Sequence, residues 1–153
     1  MNRLSDALVE RWASSPGASH GRSRREAPLG SARSVGEGTR IGTVRRPPRG
    51  VPKAEFGARN WYDVWLPNLA PSIVTMKLAQ QATTPAQWAA FVKRYRAEMA
   101  EPEHGHAIEL LAVLSRHADF SVGCYCEDES HCHRSVLRAL LIEKGAKVES
   151  LSP

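Results

Sequence analysis

The segment 124–133 holds all three cysteines of the chain and two of its six histidines, and an arginine follows it directly. These residues are Cys124, Cys126, His131, Cys132, His133 and Arg134. Thiolates act as nucleophiles and metal ligands, imidazoles act as bases and metal ligands, and a guanidinium binds anions through a planar pair of donors. We therefore expect the functional site of the protein to lie in this segment.

The first hypothesis is a nucleophilic cysteine at the start of a helix. Free backbone N–H groups and the helix dipole in a first turn favour a thiolate or a bound anion. Cys132 would be the nucleophile, with His131 or His133 as its base. Arg134 would bind an anion, so Cys132, His133 and Arg134 are the candidate catalytic residues. In the alternative interpretation, Cys124 is a buried strand residue and Arg134 pairs with a neighbouring acid.

The second hypothesis is a zinc site, since zinc prefers cysteine and histidine ligands. The four candidate ligands are Cys124, Cys126, Cys132 and His131, with His133 as the other imidazole within reach. Residues two positions apart on an extended strand point to the same side, so Cys124 and Cys126 can bind one ion together. The spacing differs from the paired Cys-x-x-Cys elements of most structural zinc sites. The sequence leaves both hypotheses open.

The segment lies between an apolar strand and an apolar helix. Residues 120–124 have the pattern of a buried strand. Val136, Leu137, Leu140 and Leu141 then form one face of a helix that ends near Gly145. The carboxyl end of a parallel strand is where α/β proteins keep their binding sites, which supports the location of the site.

Further strands and helices alternate before this segment. The sequence predicts strands over 41–44 and 61–66, and helices over about 71–80, 85–99 and 107–117. The second of these helices has the clearest signals, because Thr84 and Gln87 can form a capping box and Pro85 takes the first helical position. The alternation predicts an α/β fold with one small domain over residues 39–153, built on a mostly parallel sheet covered by helices.

Residues 1–38 are rich in serine, glycine, arginine and proline, which predicts a disordered basic tail. Within it, Leu4, Leu8 and Trp12 can share one face of a short helix. The net charge is +5, and bases outnumber acids before residue 60. This basic front is either a site for nucleic acid or a solvated surface. Arg45 and Arg46 are either part of a solvated surface or one wall of an anion pocket.

The composition also narrows the cellular location. No apolar run is long enough to cross a bilayer, and the first twenty residues lack the pattern of a secretory signal. Three cysteines close together fit reduced thiols better than a disulfide framework. We therefore expect a cytoplasmic protein with no membrane partner.

Three separated signatures resemble one known family. They are the run Trp65–Ser72, the helix from Trp88 to Met99, and Cys124 with the closing motif Cys132-His133-Arg134. Over about residues 40–148 the chain resembles the bacterial and archaeal family called domain of unknown function 488. The resemblance implies a small α/β sandwich in which the Cys-His-Arg motif begins the last main helix. It implies no established activity.

The same resemblance implies candidate positions for ligand binding. They are Cys124, Cys132, His133 and Arg134, with Arg45, Arg46 and Asp63 as companions. Many relatives have an acid two positions after the first cysteine, where this chain has Cys126 followed by Glu127. This difference favours metal or disulfide chemistry and puts any role of the acid in doubt.

Together, these observations predict an enzyme that binds an anionic small molecule or a nucleotide at the Cys/His/Arg connection between strand and helix. The alternative is a non-catalytic binding module, either held together by a metal such as zinc or associated with nucleic acid through its basic front.

Overall fold

The computed structural model describes residues 9–12, 29–30, 32–33, 35–126 and 131–148, which form one sheet and four α-helices. The strands are β1 (Val9–Trp12), β2 (Thr39–Gly42), β3 (Val64–Trp65) and β4 (Phe120–Gly123). The helices are α1 (Ile73–Gln81), α2 (Pro85–Met99), α3 (Pro102–Leu114) and α4 (His133–Glu143). In the described ranges, no helix combines the length and the apolar character that a membrane span requires.

The strands lie in the order β1-β4-β2-β3. β4, β2 and β3 are parallel, with Ile41 of β2 opposite Val122 on one side and Val64 on the other. β1 adds an antiparallel strand on the free edge of β4. Helices separate the parallel strands β3 and β4 along the chain, which is the usual way to connect strands of the same direction. The predicted α/β class with a mostly parallel sheet is confirmed.

The amino-terminal segment differs from the expected short helix. Trp12 lies opposite Phe120 in the β1–β4 ladder, so residues 9–12 are extended. The physical reason is that a short isolated helix is marginal in water, whereas the open edge of β4 offers unpaired backbone groups to an extended segment. The predicted disordered tail covers residues 1–38. Most of this range, residues 1–8 and 13–28, lies outside the described residues.

One face of the sheet carries the main apolar core. Ile41, Phe120 and Val122 alternate with polar or small residues along β2 and β4, and they pack against α2, α3 and α4. The helices contribute fully buried side chains to the same core, among them Phe91, Tyr95, Leu137 and Leu141. The predicted capping box of α2 is present, since Thr84 and Gln87 exchange side-chain hydrogen bonds with each other's backbone.

The opposite face of the sheet is polar and is covered by irregular segments instead of helices. Arg40 donates from Nε to Glu37 Oε1 over 2.6 Å, and both side chains are almost fully buried. The hydroxyl of Ser121 donates to the same carboxylate oxygen over 2.8 Å. Glu37 precedes the domain start expected at residue 39, yet it takes part in this buried network.

Gly38 tests how closely the segment before β2, the described residues of 29–38, packs against its neighbours. Gly50 provides the comparison. Gly38 and Gly50 both have φ +72°, a conformation that disfavours any side chain. A Cβ at Gly38 would overlap the carbonyl oxygen of Asp119, whereas a Cβ at Gly50 would meet nothing within 4 Å. We expect Gly50→Ala to lower the free energy of unfolding by about 1–2 kcal/mol. Gly38→Ala should cost roughly a further 1–3 kcal/mol, because the backbone must shift.

Urea unfolding of the two alanine variants and of the unchanged protein measures both values. Because φ is +72° at both glycines, the difference between the two losses of stability measures the overlap of the Gly38 Cβ with Asp119. Equal losses for the two variants would contradict the close approach of residue 38 to Asp119.

Candidate functional site

The carboxyl ends of β2 and β4 and the start of α4 meet at one place. Thr43 follows β2 and Cys124 follows β4, while Cys132 is the N-cap residue of α4. The side chain of Cys132 makes no capping hydrogen bond to the helix, so its sulfur is available to other groups. The connection from strand to helix therefore lies at the carboxyl edge of the parallel sheet, as α/β sites do.

Two sulfur atoms form the centre of this place. Cys124 Sγ and Cys132 Sγ are 3.1 Å apart, a distance at which one thiol donates its proton to the other sulfur. Both residues are almost completely buried. The backbone N–H of Cys126 donates to Cys124 Sγ over 3.2 Å, which holds this sulfur in position.

His133 connects the sulfur pair to the end of β2. Its Nε2 lies 2.9 Å from the carbonyl oxygen of Thr43 and 3.1 Å from the Thr43 hydroxyl. A carbonyl can only accept, so Nε2 carries a proton and donates it. Nδ1 then faces Cys132 Sγ at 3.7 Å. The ring of Tyr95 contacts the His133 ring edge to face at 5.8 Å and fixes its plane.

Arg134 supplies a positive charge to the same sulfur. Its side chain is fully buried, and its Nε donates to Cys132 Sγ over 3.4 Å. A donor on a cationic group stabilises a thiolate more than a thiol. In the sequence hypothesis this guanidinium binds an external anion, but its Nε here contacts the protein's own sulfur.

The three thiols have very different acidities. Hydrogen bonds from Cys124 and Cys126 lower the pKa of Cys132 well below its usual range. Burial opposes this lowering of the pKa, and the charge and ring nitrogen of His133 add to it. Hydrogen bonds to Cys126 and Cys132, together with burial, raise the pKa of Cys124. The Cys124 contact lowers the pKa of Cys126, but the Cys132 contact and burial raise it overall to about 11.

A cleft of about 110 Å³ opens beside the sulfur of Cys132. The cleft is lined by α1 and the residue before its N-cap, by α2, and by the segment that leads into the first residue of α4. The lining residues are Pro71, Met76, Ala79, Gln80, Phe91, Cys126, His131, Cys132 and His133. Cys124 is absent from that lining within the described part of the chain, and so is Arg134. Cys132 thus lines the cleft, whereas the two residues whose thiol and guanidinium contact its sulfur do not.

The companion positions suggested by the resemblance have other contacts. Arg45 donates to the carbonyl oxygens of Ala70 and Pro71 and so holds the start of α1. Arg46 is exposed, and its carbonyl accepts from the Tyr125 hydroxyl near the cleft.

The Asp63 carboxylate accepts hydrogen bonds from both terminal guanidinium nitrogens of Arg33 and from the backbone N–H of Arg40. These hydrogen bonds join Asp63 to β2 and to the segment before it. Hydrogen bonds from Arg40 and Arg33 lower the pKa of Asp63 despite the opposing effect of burial. The carboxylate therefore serves the packing of the segment before β2.

The two histidines of the segment separate in space. The ring of His131 lies 5.2 Å from the ring of Trp88 and lines the cleft. The group that can share one cation within 4.8 Å is Cys124, Cys132 and His133. His133, and not His131, is therefore the imidazole that accompanies the sulfurs in the described residues.

Sequence reasoning missed two residues of the site. Thr43 was treated only as part of a strand, although its place at the carboxyl end of β2 is the signal that could have identified it. Tyr95 lies within the predicted helix over 85–99, where its apolar ring indicates core packing and nothing local indicates a role in the site. Its hydroxyl donates to the Leu69 carbonyl over 2.8 Å, and its ring supports His133, so it positions the site as well as filling the core.

A family model described as the active DUF488-N3 subclade matches residues 25–145, which is more than half of the chain. Comparisons with curated proteins and with solved structures each gave no significant match. The matched range includes the sulfur pair, the Cys-His-Arg motif and the segment before β2 that contains Glu37. The resemblance seen in the sequence is confirmed, and the chain belongs to the family called domain of unknown function 488.

Proposed function

We propose that the protein is an enzyme that uses the thiolate of Cys132 as a nucleophile. The observation that carries the proposal is the convergence of polar groups on the sulfur of Cys132, a buried residue that lines the cleft. The Cys124 thiol at 3.1 Å, the Arg134 Nε at 3.4 Å and the His133 Nδ1 at 3.7 Å surround Cys132 Sγ. A sulfur needed only for packing would gain nothing from so many polar neighbours, whereas a thiolate nucleophile requires them.

The neighbours would have separate roles in this reaction. His133, held by the Thr43 carbonyl, would take the proton of Cys132 and form an imidazolium beside the thiolate. The Arg134 charge would stabilise the thiolate before attack. Its predicted role of binding an external anion stays a prediction. The sulfur would then attack an electrophilic atom of a substrate held in the cleft.

The size of the cleft limits that substrate. Its volume of about 110 Å³ equals roughly that of three or four water molecules, since one occupies about 30 Å³ in the liquid. A small molecule, or one end of a larger one, fits this space. The anionic ligand and the nucleic-acid contact through the basic front stay predictions.

The test is the alkylation of reduced protein with iodoacetamide across a range of pH, followed by peptide mapping. We expect Cys132 to react well below about pH 8.5, where a free cysteine is half ionised, because its pKa is lowered. Cys124 and Cys126 should react only at higher pH. Cys132→Ser should remove the low-pH alkylation at residue 132, and it should also lower the pH at which Cys124 and Cys126 react, because the Cys132 contact raises the pKa of both.

A profile in which Cys132 needs the same or a higher pH than a free cysteine would overturn the proposal. Circular dichroism of Cys132→Ser provides the control for folding. Alkylation of the unchanged protein gives the decisive result even if the variant is unstable.

The grouping of Cys124, Cys132 and His133 favours a second candidate function, a bound metal ion. Their ligand atoms all lie within 4.8 Å of one another. Metal-binding histidines commonly donate their second ring nitrogen to a carbonyl, as His133 does to Thr43. Cys126, whose N–H contacts Cys124 Sγ, would be the fourth ligand of a zinc site.

Metal content separates the two candidates. Protein purified without chelators should contain about one zinc per chain if the site is structural, and Cys126→Ala should reduce this content. The thiols should then resist alkylation until a chelator is added. A protein without stoichiometric metal and with a reactive Cys132 supports the enzyme instead.

A further inference from the structure

The sulfur pair suggests a reaction class for the proposed enzyme. Cys124 and Cys132 lie eight positions apart in sequence, and their sulfur atoms are 3.1 Å from each other. A disulfide bond is about 2.05 Å long, so the two sulfurs need to approach by only about 1 Å to form one. Small side-chain rotations can supply this movement.

The two sulfurs differ in access. Cys132 lines the cleft together with Cys126, whereas Cys124 lies behind Cys132 and is absent from the lining in the described part of the chain. An incoming molecule therefore meets Cys132 first. Once Cys132 carries a covalent adduct, Cys124 is the neighbouring thiol placed to attack it from the protected side.

We propose that Cys132 and Cys124 act together to reduce a small disulfide, with Cys132 as the attacking thiol and Cys124 as the resolving thiol. This inference rests on the proposed function, since it requires a nucleophilic Cys132. It adds the substrate class and a second catalytic residue.

The atoms and electrons of this reaction balance. The Cys132 thiolate attacks one sulfur of the substrate disulfide, the substrate S–S bond breaks, and the first half leaves as a thiolate. Cys124 then loses its proton and attacks Cys132 Sγ, which releases the second half as another thiolate. The protein dithiol is oxidised by two electrons to a Cys124–Cys132 disulfide, and the substrate is reduced to two thiols. Low-molecular-weight thiols would reduce the protein again.

Cys126 tests the identity of the resolving thiol. It lines the cleft and is only partly buried, its backbone N–H donates to Cys124 Sγ, and its side chain hydrogen-bonds to Cys132. Cys126→Ser keeps the backbone contact that holds Cys124 but removes a thiol that helps to lower the pKa of Cys132. The variant should therefore still form the bond between residues 124 and 132 if Cys124 is the resolving thiol, so the product, and not the rate, is compared.

The experiment treats reduced full-length protein with 2-hydroxyethyl disulfide in the presence of EDTA, followed by acid quenching and mass spectrometry. We expect the unchanged protein and Cys126→Ser to lose two hydrogen atoms and to yield a cross-linked peptide pair joining residues 124 and 132. We expect Cys124→Ser to keep a 2-hydroxyethylthio group on Cys132, held by a mixed disulfide. Cys132→Ser should form neither the adduct nor the cross-link at that site.

The outcomes distinguish this inference from the proposed function. If Cys132 alkylates at low pH but the unchanged protein stops at the adduct, or joins Cys132 to Cys126, the resolving role of Cys124 is wrong and the nucleophile stands. If Cys132 lacks the low-pH reaction, the proposed function itself fails. The cross-link in the unchanged protein decides the question even if Cys124→Ser does not fold.

Discussion

His133→Gln is expected to slow the alkylation of Cys132 at about pH 6 by roughly threefold to tenfold, because the charge and the ring nitrogen that favour the thiolate are lost. A glutamine amide can still donate to the Thr43 carbonyl in the position of Nε2, so the local backbone contact should survive. The midpoint of the pH profile should move upward, while the rate at high pH should stay nearly constant. Iodoacetamide kinetics across the pH range measure both quantities.

His131→Gln is the matched control for this prediction. His131 lines the same cleft, and its ring packs against the ring of Trp88 at 5.2 Å. Its replacement should leave the midpoint of the Cys132 profile in place. A shift in His131→Gln and none in His133→Gln would reverse the assignment of the base.

Glu37→Gln is expected to lower the free energy of unfolding by about 3–5 kcal/mol, because it removes the negative charge that the buried Arg40 guanidinium contacts at 2.6 and 3.0 Å. Ser121 also donates to this carboxylate on the polar face of the sheet. Native domains have only about 5–15 kcal/mol of stability in total, so the variant should be close to unfolding. Urea unfolding followed by circular dichroism measures the change.

An exposed ion pair provides the comparison. Glu55 and Arg59 are about half exposed and lie 3.1 Å apart. Glu55→Gln should therefore change stability by about 0–1 kcal/mol, the usual value for a solvated pair. If Glu37→Gln lowers the free energy of unfolding by no more than Glu55→Gln does, the segment before β2 does not unfold in the same transition as the sheet.

The features predicted well from sequence are those set by local patterns. The capping box of α2 was visible because Thr84 and Gln87 must lie three positions apart to exchange hydrogen bonds. The end of the last helix was marked by Gly145, which has φ +83°. The place where β4 leads into α4 followed from the apolar runs on either side of the cysteines.

The features missed depend on contacts between distant parts of the chain. Nothing local in the sequence reveals that the Nε of Arg134 meets Cys132 Sγ. The sequence also leaves open whether His131 or His133 is the base of Cys132, since this depends on which ring reaches Thr43. The pairing of Val9–Trp12 with β4 could not be predicted, because β4 lies more than a hundred positions away in the sequence. The local pattern alone predicts a short helix there.

The segment before β2 lies directly against the sulfur pair. The N–H of Leu29 donates to the carbonyl of Cys124 over 3.4 Å, and the Leu29 side chain packs in the same cluster as both Cys124 and Cys132. Ala32, three positions later, is exposed. A fluorescent amino acid incorporated at position 32 would thus be an optical reporter, whose emission should follow each rearrangement of the two sulfurs in real time.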